Sequence, residues 1–337
     1  MLSLHGALLP DFSEGDHAPM KELTIGRNDA GQRLDRFLAK AVPLLPASLA
    51  QKYIRLKRIK CNNARAQRDT RLQEGDVLQL YINDEFFDKP SEANAYLTVT
   101  APKLNIVYED ENILLADKQP GLICHPDENE KVNTLLTHVR AYLYQKGFRG
   151  ANGFQPVLVN RIDRFTGGLV ICAKTEEAMH ILNAKIRSHE LTKLYLAAVH
   201  GAMRPADGTL DSYILKDAAR SRVSVLHKEA PGAQRAVTHY RTLARENGLS
   251  LVECELVTGR THQIRAQFAD AGHPLLGDRQ YGAAQDARVN GQALYAYGLR
   301  FAFETDAGIL NDLNGRIFHV KRVPFAEELF PSFRYRP

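Results

Sequence analysis

From Arg33 the apolar residues keep a helical rhythm. Leu34, Phe37, Leu38 and Ala41 follow the i, i+3, i+4, i+7 spacing that gathers one face of an amphipathic helix, and Pro43 and Pro46 interrupt it. Ser48 is the expected N-cap of a second helix through Tyr53 and Ile54, whose exposed positions carry Lys52 and Arg55. Asn62-Asn63 predicts a turn, and Val77 to Ile82, after Gly75-Asp76, has strand composition. Two helices and a few short strands thus make a small domain over 21–83. Before it, residues 1–20 hold Pro10, Gly15 and Pro19 without sustained periodicity, which predicts a mobile tail. After it, the acids, Pro90 and Ser91 between 84 and 100 predict a linker.

The larger domain expected over 101–337 is richer in strands. Ile106 to Tyr108 and Ile113 to Ala116 bracket the acidic turn Glu109-Asp110-Glu111-Asn112 and predict a hairpin. Pro156 to Asp163, Leu169 to Lys174, Leu194 to Val199 and Leu251 to Val257 are further strand candidates. Thr175, followed by Glu176-Glu177, is placed to cap a helix carrying Met179, Leu182 and Ile186. Thr261 to Ala271 predicts a helix stopped by Gly272. Gly-rich parallel crossovers are absent. The expected architecture is α+β, a small two-helix domain followed by a mixed, mostly antiparallel sheet with flanking helices.

Composition narrows the functional classes. The 337 residues are 44% hydrophobic and 25% charged, the balance of globular protein and not of a disordered or collagen-like chain. No apolar run approaches the ~20 residues that cross a bilayer, and the N-terminus lacks the pattern of a secretory signal. A cytoplasmic protein without a membrane partner is therefore expected. Cys61, Cys124, Cys172 and Cys254 are scattered, which predicts reduced thiols, and no Cys/His cluster or His-Glu-x-x-His pattern suggests a metal.

Charge is concentrated. Between Lys52 and Arg71 there are eight basic residues (Lys52, Arg55, Lys57, Arg58, Lys60, Arg65, Arg68, Arg71) against the single acid Asp69, while the whole chain carries only +5. Such a segment on a nearly neutral protein is either a docking surface for a polyanion, nucleic acid first among them, or a solvated helix face.

Two segments stand out chemically. Val159-Asn160-Arg161-Ile162-Asp163-Arg164-Phe165-Thr166-Gly167-Gly168-Leu169-Val170 sets a charged, Gly-containing turn between apolar strands. An Asp there is a local turn former or a functional carboxylate. Thr258-Gly259-Arg260-Thr261-His262-Gln263-Ile264-Arg265 is a polar cluster at a strand-to-helix junction. Basic residues are disfavoured at a helix N-terminus, so the two arginines imply an anionic partner, carboxylate or phosphate.

The N-terminal phrase Gln32-Arg33-Leu34-Asp35-Arg36-Phe37-Leu38, the basic second helix, the Asn62-Asn63 turn and Glu74-Gly75-Asp76-Val77-Leu78 resemble the small RNA-binding domain first known from ribosomal protein S4. By that resemblance Lys52, Arg55, Lys57, Arg58 and Lys60 face RNA. The second domain resembles the RluA family of pseudouridine synthases, whose signature has the form His-Arg-Leu-Asp-x-x-Thr-Ser-Gly-Leu. Here Arg161, Asp163, Thr166, Gly168 and Leu169 match, whereas Asn160, Ile162 and Gly167 depart. The family phrase Thr-Gly-Arg-x-His-Gln-[Ile/Leu]-Arg is complete at Thr258 to Arg265 and is followed by Gly272-His273-Pro274-Leu275-Leu276-Gly277-Asp278. Lys193-Leu194-Tyr195-Leu196-Ala197-Ala198-Val199 and Lys118-Gln119-Pro120-Gly121 match two further motifs.

The resemblance implies an RNA pseudouridine synthase without a cofactor, acting as a monomer on RNA, ribosomal RNA in the first place. It implies Asp163 as the essential carboxylate, Arg265 as its paired cation and Tyr195 as the ring beside the uracil. Arg161 would fill the space left by a flipped uridine, Thr166 and Arg260 would bind RNA, and His262 and Gln263 would bind RNA or only shape the pocket. Two other classes remain open at this level: an inactive RNA-binding ribosome-assembly factor of the same fold, favoured by the departures at Asn160 and Gly167, and a glycoside-cleaving enzyme, which lacks an evident second acid to pair with Asp163.

Overall fold

Leu34, Phe37 and Leu38 are buried along one side of helix α1 (Leu34–Ala41), as their spacing requires. The computed structural model describes residues 20–89, 91–217 and 222–335, so the expected N-terminal tail lies outside the described residues, Met20 apart. The chain divides into two compact units. One reaches to Lys103 and takes in His125–Arg149; the other is Leu104–Cys124 with Gly150–Pro337.

In the first unit, strands β1 (Met20–Thr24), β2 (Ile59–Cys61), β3 (Ala64–Arg65) and β4 (Val77–Tyr81) form a sheet of order β1-β4-β2-β3. Every pairing is antiparallel. The β2–β3 connection turns at Asn62 and Asn63, both in the left-handed region at φ 51° and 62°, which asparagine tolerates better than other side chains. Helix α2 (Ala47–Arg55) follows α1, but its N-cap is Pro46 and not Ser48, and no side chain caps it. Proline's fixed φ, −60° here, sets the backbone for helix entry two residues earlier than a Ser48 cap would.

The stretch read as a linker is folded. Asp84–Phe87 and Ala95–Thr98 form 3-10 turns, and Phe86 and Leu97 are buried in the same core as Leu34 and Ile59. Acids and proline masked this because two buried apolar side chains give no periodicity to read. Helix α3 (Leu135–Gln145), which no sequence pattern announced, belongs here and not with the larger domain: the Tyr144 ring meets Tyr96 edge to face at 5.6 Å, and its hydroxyl donates to Glu85 at 2.8 Å.

The second unit is built on one large mixed sheet. It contains β5 (Ile106–Glu109), β6 (Ile113–Lys118), β7 (Val157–Leu158), β8 (Gly167–Ala173), β9 (Leu191–His200), β10 (Asp207–Asp217), β11 (Arg222–Leu226), β12 (Gln234–Glu246), β13 (Leu249–Leu256), β14 (Leu294–Phe301) and β15 (Ile317–His319). The order is β11-β10-β12-β13-β9-β14-β8-β6-β5, with β15 on β14 and β7 on β8. Among the described residues, only β14 and β8 run parallel. All seven residues of β8 are buried, as expected of a strand inside a covered sheet. The β5–β6 hairpin forms over the predicted acidic turn.

Helix α4 (Glu176–Arg187) starts where Thr175 accepts the amide of Ala178, the predicted cap. Helices α5 (Gln263–Asp270) and α6 (Pro324–Leu329) follow it in this unit. The predicted strand Pro156 to Asp163 shrinks to Val157–Leu158. Beyond it Asn160 turns its side chain onto the ladder, taking the Ile171 amide at 2.8 Å, and frees residues 161–166 to leave the sheet as a loop.

Candidate active site

The loop that carries Asp163 is pinned from below. Lys118, at the end of β6, is 1% exposed and donates to the carbonyls of Gln119 (3.1 Å), Leu122 (2.7 Å) and Arg164 (3.0 Å). Burial pulls its ammonium down to about 8, so it stays mostly charged at neutral pH and holds three backbone oxygens at once. Gly121, at φ 98°, donates its amide to Arg164, whose guanidinium returns to the Gly121 carbonyl. The Lys-Gln-Pro-Gly turn is therefore a clamp on the Asp163 loop.

The departures from the family pattern have local reasons. A Cβ at Gly167 would lie 2.2 Å from the Tyr295 ring, and one at Gly168, at φ 113°, would lie 2.2 Å from the Ala296 carbonyl. Both glycines let β8 run close alongside β14. Asn160 completes the ladder as described, and neither Asn160 nor Gly167 touches the Asp163 carboxylate.

Opposite this loop, α5 begins from His262 in the left-handed conformation, φ 53°. The helix thus starts two residues later than predicted. Gln263 is 3% exposed and fully engaged: its carbonyl accepts from the Thr258 hydroxyl and the Arg260 amide, and its amide donates to the Val237 carbonyl and Thr238 hydroxyl. These bonds staple the helix start to β12. Thr166 is buried, and its hydroxyl accepts from Gln292 at 3.1 Å.

Arg265, in the first turn of α5, meets its anionic partners. Nη1 donates to Asp163 at 2.8 Å, Nε and Nη2 donate to Asp278 at 2.7 and 3.0 Å, and Nη2 also donates to Gln280 at 2.8 Å. Burial works against the charge, but the Asp278 and Asp163 carboxylates outweigh it and hold the guanidinium above its ordinary value. His262 stands 3.7 Å from Asp163 through Nε2 and 2.9 Å from the Tyr281 hydroxyl through Nδ1. Burial lowers its pKa below the usual histidine value.

A cavity of about 270 Å³ opens between these elements. Asp163, Tyr195 and Arg265 all line it, as do Arg161, Thr166, Arg260, His262 and Gln263. Tyr195 on β9 is 6% exposed; its hydroxyl has no hydrogen-bond partner among the described residues and opens on the cavity. Burial raises its pKa, so the ring carries a neutral phenol. Arg161 and Arg260 are exposed at the mouth. The cavity gathers the eight synthase-domain positions singled out from sequence. Missed were Asp278, Gln280 and Tyr281, which stand 13 to 16 residues beyond Arg265 and reach it only through the tertiary fold; the Gly277-Asp278 phrase was the available signal.

The five basic residues proposed for RNA lie in the first unit. Arg55 and Lys57 are exposed, while Lys52, Arg58 and Lys60 are half-buried. Arg58 packs over Tyr53 and Lys60 over Tyr81, at 5.6 and 5.2 Å from the ring centres. Leu56, among them, is 52% exposed. Among the described residues no helix is long and apolar enough to cross a membrane, and no group of three His, Cys, Asp or Glu side chains is placed to hold a metal.

Comparison with known proteins adds the family. The model for RNA pseudouridylate synthases matches residues 112–270, and that for the S4 domain matches 32–78. An RNA pseudouridine synthase of Mycoplasma genitalium is 33% identical over 317 residues, 90% of this chain and 97% of its own. A ribosomal large subunit pseudouridine synthase D of Nitrosomonas europaea is 33% identical over 298 residues, 86% of this chain and 82% of its own. Among solved structures, human RNA Pseudouridylate Synthase Domain Containing 1 is 22% identical with a TM-score of 0.49, covering 65% of this chain and 83% of its own. The chain belongs to the RluA family of RNA pseudouridine synthases and is an isomerase carrying an N-terminal S4 domain.

Proposed function

We propose that the protein converts specific uridines of ribosomal RNA to pseudouridine, with Asp163 as the essential carboxylate, Arg265 as its countercharge and Tyr195 as the partner of the base. The observation that carries this is the Asp163 carboxylate held at 2.8 Å by Arg265 on the wall of the cavity that Tyr195 also lines.

The reaction breaks the bond from the ribose to N1 of uracil, turns the base and joins C5 to the same anomeric carbon. The proton at C5 leaves and N1 gains one, so atoms and electrons balance without a redox partner. As the first bond breaks, positive character grows on the sugar, and an adjacent carboxylate stabilises or attacks it as glycosidase carboxylates do. Arg265 fixes the direction of that carboxylate and spares it an unpaired, partly buried charge. The Tyr195 ring offers a face for the uracil, and its unengaged neutral hydroxyl is the group on this wall suited to pass the C5 proton.

A uridine must leave its stack to reach such a cavity, at a cost of a few kcal/mol. Arg161, exposed at the mouth, has the planar guanidinium that can stack in the vacated space, and Arg260 beside it suits a phosphate. Lys52, Arg55, Lys57, Arg58 and Lys60 would hold RNA outside the reacting nucleotide. Ribosomal RNA is favoured because relatives similar over most of this chain are named for the large ribosomal subunit.

Pseudouridine mapping in ribosomal RNA from cells with and without the gene tests the proposal. Loss of discrete sites on deletion, restored by the wild-type gene, is the expected result. An unchanged map would overturn the ribosomal assignment.

A further inference from the structure

One charged side chain in the cavity has no use in the mechanism above. Lys193 stands on β9 two residues before Tyr195, and in a strand that spacing puts both side chains on the same face of the sheet. Both line the cavity. The other cations there differ in kind. Arg265 is committed to two carboxylates, Arg260 donates to the Arg235 carbonyl, and Arg161 is exposed at the mouth. Lys193 is half-buried and has neither an ion-pair nor a hydrogen-bond partner among the described residues.

An ammonium withdrawn from water without a countercharge is costly, and burial alone lowers its pKa. The surroundings make room for it. A Cβ at Gly259 would come within 3.2 Å of its Nζ, so the glycine of the Thr258-Gly259-Arg260 phrase leaves the space that the ammonium uses. Leu256, Ile186 and Leu294, which also line the cavity, offer no charge to answer it. A fold that keeps an unanswered cation beside the proposed base platform has a preformed site for an anionic oxygen of the substrate.

We propose that Lys193 is a further substrate-binding residue of the synthase cavity, whose ammonium takes an oxygen of the target nucleotide that carries negative charge. Two oxygens have this chemistry: a carbonyl oxygen of the uracil as it departs from the sugar with its bonding electrons, and a phosphate oxygen flanking the flipped uridine. The inference rests on the assignment of the cavity to uridine isomerisation around Asp163.

The test compares wild type, Lys193→Met, Lys193→Arg and Asp163→Asn in one assay of pseudouridine formation, with RNA affinity and thermal melting measured on each. Lys193→Met should lower kcat/KM about ten- to a hundredfold, the usual value of one charge-assisted contact, while its Tm stays level or rises because an unpaired charge has left a half-buried position. Lys193→Arg should recover part of the loss. A fall confined to kcat, with the salt dependence of RNA binding unchanged, assigns the uracil oxygen. A raised KM with a log–log salt slope flattened by about 0.7–0.9 assigns the phosphate.

Kinetics of Lys193→Met within twofold of wild type, with Asp163→Asn inactive, would overturn the proposal and leave the cavity assignment intact. So would a lowered Tm with full specific activity in the folded fraction, the mark of a merely structural lysine. An active Asp163→Asn would instead remove the assignment on which the proposal rests.

Discussion

Asp278 grips Arg265 through both carboxylate oxygens and so turns the remaining Nη1 toward Asp163. Asp278 is 2% exposed, out of reach of substrate, and acts on the site only through the guanidinium. Asp278→Asn should therefore lower kcat with little change in RNA affinity. Asp278→Ala, which leaves the buried guanidinium with Asp163 as its remaining carboxylate, should also lower stability. Denaturant unfolding and steady-state kinetics on the two variants check this; unchanged kcat in folded Asp278→Asn would show that Arg265 needs no second carboxylate to serve Asp163.

Tyr195→Phe keeps the ring face and removes only the hydroxyl that opens on the cavity. It should reduce turnover by about 10²–10³-fold, a typical span for lost proton transfer, and leave binding of substrate RNA near wild type. Since that hydroxyl bonds to no described residue, melting should be unaffected. A phenylalanine variant of normal turnover would confine Tyr195 to stacking.

His262 makes stability depend on pH with a defined sign. Its folded pKa lies below the unfolded value near 6.5, so the unfolded chain binds the proton first. The stabilisation is fully present above that value and is lost as pH falls through it toward the folded pKa. Between pH 7 and 5 wild type should lose more stability than His262→Gln, the difference belonging to this residue alone, since His138 and His319 are lowered in both proteins. Parallel Tm curves for the two would contradict the burial argument.

The basic segment predicts a salt effect. Each phosphate contact releases condensed counterions, so replacing Arg55, Lys57 and Lys60 together by Gln should weaken binding to long RNA and flatten its log–log salt slope by about two units. Turnover of a short stem-loop that occupies only the cavity should barely change. A normal slope would mark these side chains as a solvated face.

Local chemistry was legible where one residue settles one element. Thr175 caps α4, Leu34 and its helical partners build α1, and the paired asparagines turn β2 into β3. Asp163 and Arg265 were legible through their motifs, although the junction itself said only that arginines there need an anion. What stayed hidden needed the third dimension. The contact of Asp278 with Arg265 follows no period, and the packing of Phe86 and Leu97 inside a polar stretch depends on α3, some forty residues on. The bonding of Gln263 was hidden too, since its motif does not say that its amide reaches β12 while its carbonyl takes Thr258 and Arg260. Strands β10 and β12 escaped notice although their inner positions Ser212, Ile214, Ala236 and Thr238 alternate; half of those are polar, and the hydrophobic pattern thins out.

The carboxylate of Asp163 is the group on which the proposed isomerisation depends. Asp163→Asn keeps the shape of the side chain and removes its charge, and Arg265 remains held by Asp278 in the variant. Single-turnover formation of pseudouridine on a ribosomal RNA fragment that wild type modifies should fall by at least about a thousandfold, while the fragment binds as tightly as before. Turnover within tenfold of wild type in a folded, RNA-binding Asp163→Asn protein would place the essential chemistry on another residue.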